Sequence, residues 1–335
     1  MTRRFLALAG GLLIGLGLSG GTDSLEAQEV RLRAGGRLPA DHTASIGMAI
    51  LNSELGRLTK NTLQIDYYPG EQLGGAFEGV DQVRTGQIDM DLGGPEWYGR
   101  VVAELEVLNL PFLATTDQLA YCLIDTDLGD YLAKKVQEKG LVVLGWMSNG
   151  IRHMTNNKRP IKTMDDIKGL KVRTPPSEIY LATFRALGAN STPIDIKELY
   201  QALQQGVVDG QENPYGNTAA RKFDEVQKYL SNSGHFFSWA WIVMNKRSFD
   251  RLKPDHQSAL YEATFRAVAA QRAMAARENK AARDTLVKRG MQYDEIPAAE
   301  FNRFREAVKP VYEQARKKAG EEATNMAMDA LKRCT

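Results

Sequence analysis

The stretch TPIDIKELYQALQQGVVDGQENP, residues 192–214, carries the decisive punctuation of this chain. Asp195 followed by Glu198 has the spacing of a capping box, and Gly206 closes the helix so opened. The next segment, DGQENPYGN (209–217), crowds Asp209, Gln211, Glu212, Asn213 and Asn217 around Pro214. That composition predicts a turn dense in amides and carboxylates rather than a core segment or a flexible linker. Just upstream, LKVRTP (170–175) is a short apolar strand ended by proline, with Arg173 between Val172 and Thr174. Strand, helix and polar turn in quick succession mark α/β material with short connections.

The same alternation runs outward in both directions. LQIDYYP (63–69) has the period of two expected of a strand, through Leu63, Ile65 and Tyr67. The segment before it places Ile46, Ile50, Leu51, Leu55 and Leu58 on one helical face, with Thr43 as the expected cap. FEGVDQVRTG is helical and stops at Gly86, and LVVLGWM (141–147) is a buried strand. From Asp255 to Arg289 there is neither proline nor glycine. A helix of that length spans roughly 50 Å, wider than one small domain. It is either two helices meeting at an unmarked bend or, as we favour, one helix laid across two lobes.

Composition narrows the function. The 335 residues are 43% apolar and 25% charged with a formal charge of +2, so there is no basic stripe for nucleic acid. Residues 1–27 carry Arg3 and Arg4 ahead of an apolar run of about 13 residues, the pattern of a secretory signal peptide. Cys122 and Cys334 are the only cysteines; export permits a bridge between them, but two buried or terminal thiols are the favoured reading. No P-loop, no nucleophile elbow and no zinc spacing occurs among His42, His153, His235 and His256, so no metal, no cofactor and no catalytic residues are expected. The remaining chemistry is cationic and amide: Arg152 just after the strand 141–147, and Arg173 inside its own strand. A buried guanidinium there wants either a ligand carboxylate or an internal salt bridge.

The segments GLKVRTP, 192–214 and KFDEVQKYLSNSGH resemble the extracytoplasmic solute-binding proteins of tripartite ATP-independent periplasmic (TRAP) transporters, the DctP-type family named for its dicarboxylate-binding member. YYPGEQLGG, VRTGQIDM and NLPFL extend the resemblance upstream in the family's order. It implies a periplasmic binding protein type II-like α/β fold of two lobes around a ligand cleft. The implied lobes are 28–149 plus about 239–275, and 150–238 plus about 279–310, bridged by the helix 255–289 and followed by a helical segment 311–335. It further implies a monomeric periplasmic receptor, not an enzyme, that binds an organic acid (a dicarboxylate, hydroxy acid or sugar acid) and delivers it to TRAP integral membrane subunits. A sensor protein for the same ligands, or an enzyme on the same scaffold, is the alternative.

Residue by residue, the resemblance assigns the carboxylate clamp to Arg173, a second arginine to Arg152, and the opposite ligand contact to Asn213 on its turn. Arg37 in AGGRLPADH matches a polar contact and, as a third cation, suits a dicarboxylate. Glu96 and Trp97 in GGPEWYG match a cleft loop, and His42 stands on a polar loop before a helix. Trp239 and Trp241 alternate in FFSWAWIVMN, where Trp239 either walls the pocket or packs in the core.

Overall fold

The computed structural model describes residues 29–335; the signal-peptide reading of residues 1–27 lies outside them. Among the described residues nine strands form one mixed sheet: β1 (Val30–Gly36), β2 (Leu63–Tyr68), β3 (Met90–Gly93), β4 (Leu141–Asn156), β5 (Lys171–Thr174), β6 (Asn190–Pro193), β7 (Gly210–Pro214), β8 (Tyr229–Asn245) and β9 (Gln292–Asp294). Their order is β2-β1-β3-β8-β4-β7-β5-β6, with β9 beside β8. The two long strands, β4 of 16 residues and β8 of 17, pair antiparallel along their length and form a central ribbon. One end of that ribbon adds the parallel strands β1, β2 and β3; the other adds β5, β6 and β7, also parallel to one another.

The ribbon is irregular at its middle. Its register shifts between Val143 and Gly145, between Ser148 and Gly150, and between Arg152 and Met154. Ser148 stays in register with Trp239 beside one of these shifts, and the buried Gln271 bonds both of its main-chain groups: Nε2 donates to the Ser148 carbonyl at 2.7 Å and Oε1 accepts from the Ser148 N–H at 2.9 Å. Gly150 sits at φ +117°, where a Cβ would also collide with the Asn279 amide. Glycine is required there by both conformation and space.

Gln271 and Asn279 belong to one continuous helix, Pro254–Lys288. It packs on the helix Thr43–Thr59 at one end and on the helix Tyr215–Ala220 at the other, so the uninterrupted reading of this segment holds. Arg272 donates to the Trp146 carbonyl at 3.0 Å, tying the same helix to the ribbon.

Four local expectations need correction. Residues 210–214 are not a turn but strand β7, wholly buried between β4 and β5. Gly, Asn and Pro are poor strand formers, but here the polar side chains satisfy one another, and a Cβ on Gly210 would strike the Thr155 carbonyl. The strand read as 141–147 continues to Asn156, so Arg152 lies within β4 rather than after it. The cap of the helix 43–59 is His42, whose Nδ1 accepts from the Ala44 N–H at 3.2 Å, not Thr43. Cys122 and Cys334 are not separate thiols: they form a disulfide with Cα atoms 5.9 Å apart. The C-terminal helix Glu321–Cys334 packs on the helix Asp117–Ile124, which brings the two sulfurs together.

Candidate ligand-binding cavity

Parallel strands in an open α/β sheet end their side of the sheet in a crevice, and ligands bind beyond their C-terminal ends. Here both parallel groups end against the irregular middle of the ribbon. The cavity at that junction is lined by Arg37 after β1, Gly93 at the end of β3 and Gly94 after it, Arg173 of β5 and Asn213 of β7. Asn149 and Arg152 of β4, Trp239 of β8, and Glu96 and Trp97 on the turn Pro95–Trp97 complete most of its wall. Seven of the eight predicted site residues thus meet in one place. His42 does not line it; it caps its helix, and burial pushes its imidazole down to about 4, so it is neutral.

The four arginines on this wall are held differently. Arg152 is 2% exposed and makes a two-pronged pair with Glu212, from Nε at 2.5 Å and from a terminal nitrogen at 2.8 Å, with a further bond to the Glu212 carbonyl at 2.7 Å. Burial opposes its charge, yet Glu212, with Tyr180 and Glu96 acting in the same sense, outweighs burial and holds Arg152 above the ordinary arginine value. Glu212 is buried too, and Arg152 with His235, whose Nε2 lies 3.0 Å away, keeps its carboxylate below the ordinary range. Arg37 pairs with the buried Asp91, to which the Tyr98 hydroxyl also donates. Arg221 stands 3.6 Å from Glu71 and donates to the Arg37 carbonyl.

Arg173 has no carboxylate within ion-pair reach among the described residues. It is 1% exposed; its Nε donates to the Ile194 carbonyl at 2.8 Å, and one terminal nitrogen is buried without an acceptor. Burial pushes its guanidinium down to about 9; Glu212 partly offsets this, while Arg152 works with burial. Leaving such a donor unpaired costs free energy that a ligand oxygen can return.

Asn213 belongs to a chain of donors running one way. Arg221 Nε donates to Asn217 Oδ1 at 3.2 Å, and Asn217 Nδ2 to Asn213 Oδ1 at 2.7 Å. Asn213 Nδ2 donates to Gln211 Oε1 at 2.6 Å, Gln211 Nε2 to Thr155 Oγ1 at 2.9 Å, and that hydroxyl to Gln227 Oε1 at 2.9 Å. One amide hydrogen of Asn213 is left over at the cavity. Sequence reading singled out neither Arg221 nor Asn149 for the wall; the detectable signal was the four-residue spacing of Asn217 and Arg221 along one short helix.

Glu96 is 8% exposed, and burial pushes its carboxyl up to about 7 against the pull of Arg152. Trp239 and Trp97 are the aromatic wall. Trp239 stacks edgewise on Trp146 and Phe237, so it is core and wall at once, whereas Trp241 is core alone. Among the described residues no group of His, Cys, Asp and Glu could hold a metal ion, and no helix is long and apolar enough to cross a membrane.

The family of bacterial extracellular solute-binding proteins, family 7, matches residues 34–318. The chain belongs to that family. It is 35% identical to the 2,3-diketo-L-gulonate-binding periplasmic protein of Escherichia coli (strain K12) over 81% of this chain and 82% of that protein. Among solved structures it is similar to a TRAP periplasmic solute-binding protein from Polaromonas bound to D-erythronate (34% identity, TM-score 0.84, covering 89% of this chain and 98% of the other). It is also similar to a sugar-acid-binding protein from Advenella mimigardefordensis in complex with galactonate (28% identity, TM-score 0.89, covering 92% and 99%). The family 7 proteins are solute-binding receptors of TRAP transport and not enzymes, and this chain is such a receptor. The two-lobe α/β fold implied by its motifs is the fold of these neighbours.

Proposed function

We propose that this receptor works in the periplasm, exported by residues 1–27, and binds one organic acid by seating its carboxylate on Arg173. The observation that carries the reading is the charge of Arg173: it is the cavity arginine without a carboxylate partner, buried with an unused donor. Asn213 offers its remaining amide hydrogen to the same end of the ligand, and Trp239 and Trp97 wall the carbon chain. The acids bound by its relatives support this class. Residues 28–149 with about 239–275, and 150–238 with about 279–310, act as lobes that close about the ribbon β4–β8 and the helix Pro254–Lys288. The closed, loaded form then docks on TRAP membrane subunits, which carry the acid inward.

A planar guanidinium grips a carboxylate with two parallel bonds, and an ammonium cannot. Arg173→Lys therefore weakens binding of the cognate acid at least tenfold, about 1.4 kcal/mol, measured by titration calorimetry. Unchanged affinity removes Arg173 from the site. Solution scattering with and without saturating acid tests closure: the radius of gyration falls on binding, and superimposable curves contradict moving lobes.

A further inference from the structure

The wall carries four guanidinium groups, and three already have a carboxylate each: Arg37 with Asp91, Arg152 with Glu212, Arg221 with Glu71. One ligand carboxylate balances the fourth, Arg173. Glu96 is the acid on the wall that none of these pairs uses. It is more than nine-tenths buried, its carboxyl meets its own main-chain N–H, and Arg152, the guanidinium that acts on it, is committed to Glu212. The carboxyl is folded back over Gly94, where an added Cβ would collide with Oε2, so the turn Pro95–Trp97 holds it at the cavity.

A second ligand carboxylate would enter a site whose other cations are already paired, and would face Glu96. Two like charges in a dry cleft repel strongly. A hydroxyl in the same place costs nothing of the kind, since it can donate to an ionised Glu96 or accept from a protonated one. Asn149 and Asn217 add neutral amides to the same cavity wall, suited to further hydroxyls. We propose that Glu96 sets the charge of the ligand: the cavity takes a monocarboxylate bearing hydroxyl groups and rejects the dicarboxylate of the same length. This rests on Arg173 as the carboxylate partner. Discrimination here comes from a repulsive group as much as from an attractive one.

The test uses matched pairs that differ by one terminal carboxylate: erythronate and tartrate, xylonate and xylarate, galactonate and galactarate. Each is titrated calorimetrically into the whole mature receptor at pH 8.5. At least one monocarboxylate binds, and it binds about thirtyfold or more tighter than its dicarboxylate partner, roughly 2 kcal/mol. Glu96→Gln lowers that ratio about tenfold, to about threefold, by admitting the dicarboxylate. Glu96→Asp keeps the charge and so keeps the discrimination, which separates the electrostatic role from simple space-filling. A dicarboxylate bound as tightly as its partner, a ratio indifferent to Glu96→Gln, or no binding of any of the three monocarboxylates overturns the proposal. Arg173→Lys is measured on the same best ligand: loss of affinity there with an unaltered ratio at Glu96 sinks the charge filter alone, whereas no loss at Arg173 sinks the carboxylate reading beneath it.

Discussion

Arg152 and Arg173 reach the same cavity from two strands, and both are almost wholly buried, yet they are held in opposite ways. Arg152 is neutralised by a two-pronged carboxylate and shares it with His235. Arg173 has a single carbonyl and an idle donor. Burial is alike in the two places, so desolvation alone does not mark a ligand site. What separates scaffold from site is whether the protein supplies the counter-charge. The first arginine is compensated within the protein; the second has no carboxylate partner among the described residues, as the proposed carboxylate role requires.

The sharpest way to break this contrast is to remove a counter-charge. Glu212→Gln leaves Arg152 buried and unpaired, and it is expected to cost about 3–5 kcal/mol in urea unfolding. Arg173→Met removes a buried cation that has no partner, so the unliganded protein is expected to be no less stable than the wild type while binding collapses. If both variants lose stability equally, the two arginines are not different in kind.

Glu96 gives the next effect, read through pH. It is an acid whose folded value, about 7, lies above the unfolded one, so the folded state holds its proton more tightly. Its contribution is full at pH below the unfolded value near 4.5 and is lost as pH rises through 7, amounting to about 3 kcal/mol. Arg152 pulls against this, while Glu212 and Glu106 reinforce it. Relative to Glu96→Gln, the wild type is expected to lose stability between about pH 5 and pH 7.5 in unfolding titrations. A pH-independent difference would show that Glu96 is solvated and no part of a dry wall.

The smallest effect probes the amide chain beside Arg173. Asn213→Leu strands Gln211 Oε1 and Asn217 Nδ2, a loss of about 1–2 kcal/mol in stability. Asn213→Asp keeps an acceptor for Asn217 but sets an oxygen against Gln211 Oε1, and it places a negative charge next to the ligand carboxylate. It is therefore expected to bind the acid about tenfold more weakly than Asn213→Leu does. The reverse order in calorimetry would mean that Asn213 only accepts from a ligand hydroxyl.

The residues that the family resemblance singled out stand at element ends in recognisable runs, Arg173 before Pro175, Glu96 and Trp97 after a glycine pair and Asn213 before Pro214, and these line one cavity. His42 misled because a polar residue ahead of a helix serves equally as a cap, which is its role here. Residues 210–214 misled for a related reason. Turn composition and a buried polar strand look the same when the partners of the side chains are unknown.

By itself the sequence determined what is decided within a few residues. Asp195 caps its helix by accepting from the Lys197 N–H, Gly206 takes the left-handed conformation past its end, and the absence of proline and glycine keeps Pro254–Lys288 in one piece. These outcomes arise from backbone conformation and local hydrogen bonds, which need no distant partner. Tertiary structure alone decided which charges are free. Arg37 finds Asp91, Arg152 finds Glu212 and Cys122 finds Cys334 across 54, 60 and 212 residues. Charge compensation and disulfide pairing act through space in a medium of low dielectric, so the one cavity arginine without a carboxylate among the described residues becomes visible only when the partners of the others have been placed.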